Sequence, residues 1–284
     1  MKKINKAAAW LQTNYLLFRC PYCGTAFNQP KGNSLVCQQQ HCFDLSKKGT
    51  LYLLKHGYQT NYDNPDLWQA RRQILQAGLF RPIFAKLVDL MPTKPVKILD
   101  AGCGEGSALA YFAATRKYDD TLVGFDLTKV ALNLATQFDF SAFFCEADLA
   151  NLPFQAGSFD VLCDIFTPSA YQEFERVLAP GGLLLKVIPN QLYLTELRHM
   201  FYSKDSQNYS YSNQKVKQLF FEHYPNAQAI PLTYKFQLNQ ASFQQLLKMT
   251  PLQWGVTKER LAEVQRLFLQ EITVDVVVLA AKIE

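Results

Sequence analysis

The chain of 284 residues has no apolar run near the ~18 residues that a membrane-spanning helix needs. Its early apolar stretch, Ala7 to Leu11, is too short for a signal-peptide core and lacks a clean cleavage site. The expectation is a protein that neither spans a membrane nor is secreted, working in the cytoplasm. Acid is nearly missing from the N-terminal part. Residues 1–60 hold eight lysines and arginines against Asp44 alone, a charge of +7, and the other 224 residues carry −2. Such asymmetry suggests a small module that meets a polyanion, joined to a near-neutral body. A solvated basic surface is the plainer alternative. Histidine is scarce, at four residues, and the isolated His56 and His199 suggest no chemistry. Seven cysteines, an odd number, argue against a disulfide framework in a chain too large to need one. What is present is a globular composition, 49% hydrophobic and 19% charged, which supports a large core and excludes general disorder.

Four cysteines lie in the basic segment. It reads Cys20-Pro21-Tyr22-Cys23-Gly24, then a turn at Lys31-Gly32-Asn33-Ser34, then Cys37-Gln38-Gln39-Gln40-His41. Two residues separate the first pair, thirteen the middle pair, and three separate Cys37 from His41. Tight turns of this kind point two ligands each at one metal, so Cys20, Cys23, Cys37 and His41 suit a tetrahedral zinc site, with Cys42 an alternative fourth ligand. No open coordination position is needed, which makes the zinc structural. A ribbon of this length cannot bury enough apolar area alone, so the metal has a physical purpose. Cys103, Cys145 and Cys163 sit in apolar, strand-like runs and are expected as buried thiols.

From Asp66 to Leu90 the spacing of apolar residues predicts helix, broken by Gly78 and Pro82. This connector ends at Met91-Pro92-Thr93-Lys94-Pro95. Strands and helices then alternate. Strands are predicted at 96–100, 121–126, 143–148, 159–164 and 182–188, with helices at 107–115, 129–137 and 171–178. That rhythm gives a doubly wound parallel sheet. Further strands are expected at 230–238 and 274–279, and helices at 241–248 and 258–269. The predicted organisation is a basic zinc ribbon over 1–60, a helical connector over 61–95 and an α/β domain over 96–284.

Asp100-Ala-Gly102-Cys-Gly104-Glu105-Gly106 follows the first of these strands and opens a helix. Glycines there permit a sharp turn and a close approach of backbone to a ligand. The spacing D-x-G-x-G-x-G departs from the dinucleotide pattern G-x-G-x-x-G and resembles the first motif of S-adenosylmethionine-dependent methyltransferases. Asp126 ends the second strand, where a carboxylate can accept both ribose hydroxyls. Asp148 ends the third, ahead of Leu152-Pro153-Phe154, and Ala179-Pro180-Gly181-Gly182 turns into the fifth. The region after strand four, Asp164-Ile165-Phe166-Thr167-Pro168, has neither an Asn/Asp-Pro-Pro-aromatic box nor a Pro-Cys pair. Methylation of exocyclic amines or of pyrimidine C5 is not expected.

From Cys20 to about Val276 the chain resembles the bacterial 23S ribosomal RNA guanine-N1 methyltransferases, including the tylosin-resistance type. The resemblance rests on the Cys20/Cys23/Cys37/His41 ribbon, on Gln69-Ala-Arg71-Arg72 with Ala77-Gly78-x-Phe80-x-Pro82, on Leu99-Asp-x-Gly-Cys-Gly-Glu-Gly106, and on Met249-Thr-Pro251-x-x-Trp254. It implies a seven-stranded methyltransferase core behind a zinc ribbon that holds an RNA hairpin, in a homodimer. It also implies cofactor contacts from Asp100, Gly102, Gly104, Glu105, Gly106, Asp126, Asp148, Phe80 and Tyr193. Guanine N1 carries a proton at neutral pH, and Asp164 is the candidate for the base contact that assists its removal. Methylation of another RNA such as tRNA, or an RNA-binding protein with an inactive core, are the alternatives, and the intact glycine loop argues against the latter. Gln69-Ala-Arg71-Arg72 is either an RNA or cofactor contact or an ordinary exposed helix face.

Overall fold

The computed structural model describes residues 1–58 and 62–283. Helix α1 (Lys3–Asn14) precedes three short strands, β1 (Ser34–Val36), β2 (Cys42–Asp44) and β3 (Thr50–Tyr52). Helices α2 (Pro65–Gln76) and α3 (Arg81–Leu90) lead into β4 (Lys97–Ala101), α4 (Ser107–Thr115), β5 (Thr121–Asp126), α5 (Lys129–Ala135) and β6 (Phe143–Glu146). Then come β7 (Phe159–Ile165), α6 (Tyr171–Val177), β8 (Leu178–Pro189), α7 (Thr195–Phe201) and α8 (Gln214–His223). The C-terminal part is β9 (Gln228–Gln237), α9 (Gln240–Met249), α10 (Lys258–Gln265) and β10 (Glu271–Lys282).

Local chemistry sets the element ends. Pro65 opens α2, and the Asn64 side chain accepts from the Asp66 backbone N–H. The helix closes at Gln76, ahead of Gly78, which takes a left-handed φ of 105°. Asn239 and Ser242 form a reciprocal capping box on α9. The expected turn at 179–182 is instead an irregularity inside the long β8. There Phe159 pairs with Leu178, but Val161 pairs with Leu183. Three helices lacked a strong sequence signal: α1, α7 and α8. In α1 the inward positions Ile4, Ala7, Ala8 and Leu11 do follow helical spacing, but the two alanines give a faint apolar stripe.

The main sheet has eight strands in the order β3-β6-β5-β4-β7-β8-β10-β9, parallel from β3 to β8, with β10 antiparallel to both its neighbours. Seven of these are the expected core. The eighth, β3, comes from the N-terminal segment and pairs in parallel with β6, Thr50 opposite Phe144. The expected boundary between ribbon and connector, after residue 60, falls within 59–61, outside the described residues.

Side chains alternate across the sheet, as the strand period requires. Ile98, Leu122, Val161 and Val276 face a core built with α2, α3, α4, α7 and α9. Leu99, Val123, Leu162 and Val277 face a second core that contains α1, α6, α8 and the ribbon residues Phe18, Phe27, Leu35 and Phe43. Trp10 of α1 stacks on Phe143 of β6 with ring centroids 4.8 Å apart, and Phe18 meets Phe154 at 5.3 Å. The ribbon therefore shares the hydrophobic core of the α/β body.

Candidate functional site

From β4 the chain winds one way through β5 and β6, then crosses to β7 and β8 on the other side. The carboxyl ends of β4 and β7 flank that reversal, the place where open α/β sheets bind ligands. A cavity of about 540 Å³ opens there, lined by Gly102 and Gly104 after β4, Asp126 at the end of β5, the 165–168 segment after β7 and Tyr193 after β8. Two glycines are required. Gly102 has φ 67°, and a Cβ there would run into the Thr167 side chain. Gly104 has φ 54°, and its Cβ would lie 2.8 Å from the Trp68 ring. Trp68 is itself held by a 2.7 Å bond from its indole N–H to the Tyr62 carbonyl.

Asp126 accepts from the Gly104 N–H at 2.9 Å and from the Thr128 N–H at 2.8 Å, one bond on each oxygen. Each oxygen keeps a lone pair for a ligand hydroxyl. Burial pushes its carboxyl up from the ordinary range, and the two amides pull it back. Asp100 lies 2% exposed beside a small chamber that adjoins the cavity, and its Oδ2 has no hydrogen-bond partner. Burial, then the charges of Asp126, Asp164 and Glu105, push its carboxyl up to about 8. A buried acceptor left open in this way fits a ligand that donates to it. Arg71 lines both the cavity and the chamber, and its guanidinium lies 5.9 Å from the Trp68 ring centroid and 5.8 Å from that of Phe80. Among the described residues it forms no ion pair within 4 Å, and its charge pulls the Asp100 and Asp126 carboxyls down. The Gln69-Ala-Arg71-Arg72 motif was the signal for it, though sequence could not say which arginine turns inward.

The other expected contacts divide. Tyr193 lines the cavity, its ring 5.3 Å from Phe166, and burial raises its phenol. Phe80 is buried against Phe166 and reaches the small chamber. Asp148 stands beside the lining residues Ala147 and Leu149, with its oxygens bonded to the Tyr58 hydroxyl at 2.6 Å and the Ala150 N–H at 2.9 Å. Gly106 caps α4 in a left-handed conformation, against Ala135. Glu105 differs from expectation, because its carboxylate is engaged by the Arg72 guanidinium and the Ser107 N–H. Arg72 also donates to the Glu105 carbonyl at 2.7 Å. Glu105 thus ties the glycine loop to α2.

Asp164, the candidate for the base contact, lies behind the cavity wall. Its side chain is fully buried and absent from the cavity wall, whereas the next four residues line it. The carboxylate accepts from Lys186 Nζ at 2.7 Å, from Ser169 Oγ at 3.0 Å and from the Thr167 N–H at 3.3 Å. Lys186 also donates to the Thr167 carbonyl at 2.9 Å. Strand alternation sends Asp164 under the floor, where it pins a turn whose Phe166 sits at a left-handed φ of 59°. The Asp164 carboxylate thus holds this turn from beneath the cavity.

On the ribbon, the ligand atoms of Cys20, Cys23, Cys37 and His41 all lie within 4.8 Å of one another. The Cys23 and Cys37 sulfurs are 3.7 Å apart, and His41 Nδ1 is 3.4 Å from Cys37 Sγ and 3.6 Å from Cys20 Sγ. Tetrahedral zinc with Zn–S near 2.3 Å and Zn–N near 2.0 Å places its ligands about 3.5–3.8 Å apart. The donor set and spacing fit zinc. Cys42 is exposed on β2, with its sulfur 3.8 Å from Asp44 Oδ1, and stands outside this cluster.

A family described as "Methyltransferase domain" matches residues 98–182, and the zinc-ribbon family "RlmA, N-terminal" matches residues 18–55. Fold and site thus define a methyltransferase that carries a zinc ribbon. A Bacillus subtilis (strain 168) protein, YxjB, named as a candidate 23S rRNA (guanine-N(1)-)-methyltransferase, is 34% identical to this chain over 94% of this chain and 97% of its own length. The 23S rRNA (guanine(748)-N(1))-methyltransferase of Streptomyces fradiae is 29% identical over 63% of this chain and 65% of its own. The chain belongs to the family of 23S rRNA (guanine-N1) methyltransferases. Among solved structures, the YcgJ protein from Bacillus subtilis superposes with a TM-score of 0.48 at 16% identity, over 70% of this chain and 97% of that one.

Proposed function

We propose that this chain methylates N1 of a guanine in a hairpin loop of 23S rRNA, with S-adenosylmethionine as methyl donor. The reading rests above all on one conjunction. A switch-point cavity joins the glycine loop and Asp126, the open Asp100 oxygen lies beside the adjoining chamber, and the relative matching nearly the whole chain is named for this reaction. S-adenosylmethionine, when bound, supplies a methyl already activated by its sulfonium. The chain's residues hold and align. Asp126 accepts from the ribose hydroxyls, the Asp100 carboxylate faces the ammonium of the amino-acid end, and Arg71 faces its carboxylate. Gly102 and Gly104 allow the backbone to come close, and Tyr193 with Phe80 and Phe166 closes the apolar side. The target N1 lies on the Watson–Crick edge, so the guanine enters unpaired or flipped. As the N1–methyl bond forms and the sulfur–methyl bond breaks, the N1 proton passes to solvent, and alignment of acceptor and methyl is the main catalytic contribution.

The zinc ribbon carries the charge for RNA and grips the hairpin, and the chain works in the cytoplasm as a homodimer. No helix of the described residues is long and apolar enough to cross a membrane. Val216 and Leu219 of α8 are exposed and offer apolar surface for a second copy. The test is methylation of a transcribed 23S rRNA hairpin by the purified protein, mapped by primer extension. An N1-methylguanine stops the extending enzyme, so one new stop within the hairpin loop is expected. Labelling of tRNA alone, or no stop at any guanine, overturns the assignment.

A further inference from the structure

The first zinc turn carries a residue that the reaction does not use. Tyr22 stands between Cys20 and Cys23, and its side chain is 51% exposed. The ring is not loose. It stacks on His41 with centroids 5.4 Å apart and an interplanar angle of 26°, and on Phe43 at 5.9 Å and 28°. Phe43 in turn meets the buried Phe27 edge-on at 5.7 Å. Contacts with a zinc ligand and with the ribbon core therefore fix the ring, which stays half exposed to solvent.

The second zinc turn supplies what lies alongside. Gln38, Gln39 and Gln40 are all exposed, immediately before His41, and Gln40 holds a left-handed φ of 64°. Their side-chain amides make no hydrogen bond among the described residues. None of these exposed groups is charged, and the acid of the segment, Asp44, is taken up by Ser34 Oγ at 2.6 Å. A phosphate site would present cations or converging N–H groups. A fixed aromatic ring on one zinc turn and exposed primary amides, which both donate and accept, on the other instead match the flat face and polar edge of a nucleobase. The +7 charge of residues 1–60 brings a polyanion to this surface.

We propose that this face of the ribbon, the Tyr22 ring with the amides of Gln38, Gln39 and Gln40, is a platform on which one unpaired base of the RNA stacks. The proposal rests on the RNA-methylating reading above and adds an RNA contact from residues that do not line the cavity. Tyr22→Leu keeps apolar cover over His41 but removes the π-face, and Tyr22→Phe restores it. Zinc content, affinity for the 23S rRNA hairpin at three salt concentrations, and steady-state methylation are measured for each. Tyr22→Leu should retain one zinc and weaken RNA binding about 5- to 150-fold, the range for loss of one stacked base. Its salt slope should equal that of the wild type, because every phosphate keeps its cationic partner. KM for RNA should rise with kcat unchanged, and Tyr22→Phe should behave as wild type. Unchanged affinity in Tyr22→Leu, with the wild type binding and methylating, overturns the platform and leaves the function standing. So does weakening that comes with lost zinc, a flatter salt slope or a changed oligomeric state. A wild type that neither binds nor methylates the hairpin overturns the function, and the platform with it.

Discussion

Asp100 and Asp126 both end strands of the central sheet, yet they play different parts. Asp126 arrives with two backbone amides already bound, whereas Asp100 keeps one buried oxygen without a partner beside a small chamber. With its carboxyl raised to about 8 by burial and the neighbouring acids, Asp100 holds its proton to higher pH than an ordinary carboxyl. A ligand ammonium favours the carboxylate, so S-adenosylmethionine binding should release a proton. Calorimetry in two buffers of different ionisation enthalpy should give different apparent heats, and Asp100→Asn should abolish the difference. The folded state also holds this proton longer than the unfolded state, so Asp100 lowers stability as pH rises from the usual carboxylate range toward 8. Asp126→Ala should weaken cofactor binding by about 1–3 kcal/mol, since ribose hydroxyls would lose their acceptor in a confined site; an unchanged titration curve would refute the ribose assignment. Under the cavity floor, Asp164 is raised to about 6 by burial even though Lys186 opposes the shift. Lys186→Met leaves that carboxylate buried and unpaired, at about 3–5 kcal/mol. Without the ammonium its carboxyl rises further, so the loss should be largest at pH 8 and small at pH 5. Urea melts at both pH values check this, and equal losses would show that the pair bears no such charge.

At the scale of elements, the ribbon is both metal-bound and docked. Its strand β3 continues the main sheet beside β6, and Phe18, Phe27 and Phe43 pack into the core on one sheet face. Removing zinc should therefore disturb more than the two turns. Chelation is expected to speed amide exchange at 34–52 and at the β6 partners of β3, while β4 and β7 stay protected. Uniform exchange across the sheet would mean that ribbon and body unfold as one. His41→Ala should lose the metal and Cys42→Ser should keep it, because the Cys42 sulfur points to Asp44 instead of the cluster. Metal analysis of the two purified variants distinguishes them. Helix α2 has a similar double duty. Arg72 clamps Glu105 of the glycine loop from beneath, and its neighbour Arg71 turns into the cavity. The helical period explains the split, since successive residues point about 100° apart.

For the whole molecule, the basic ribbon and the cofactor cavity lie on one continuous body but carry separate tasks. Lys31, Lys47 and Lys48 are exposed and none is in an ion pair among the described residues. On α1, burial and then the neighbouring charge of Lys48 lower the Lys3 ammonium, and Lys6 pairs with Asp139 at 2.9 Å. Alanine at Lys31, Lys47 and Lys48 together should raise the RNA dissociation constant and leave cofactor affinity unchanged. For every phosphate that loses its lysine, the dependence of log affinity on log salt should flatten by about 0.7–0.9. Affinities at two or three salt concentrations check it, and an unchanged slope would make the ribbon a structural cap.

The sequence by itself determined whatever rests on near neighbours in the chain. The alternation of strands and helices, the glycine turn after β4, the carboxylates at strand ends and the four zinc ligands are local patterns, encoded in side-chain period, permitted φ and ligand spacing. Tertiary structure decided which groups meet. Asp164 and Thr167 are three residues apart, yet one lies beneath the cavity and the other lines it, because strand pleat and the Lys186 partner from β8 orient the carboxylate inward. The inward turn of Arg71, the engagement of Glu105 and the addition of β3 to the sheet likewise depend on packing between residues distant in sequence. No periodicity reports these, because they arise from the order of strands and the packing of helices on their faces.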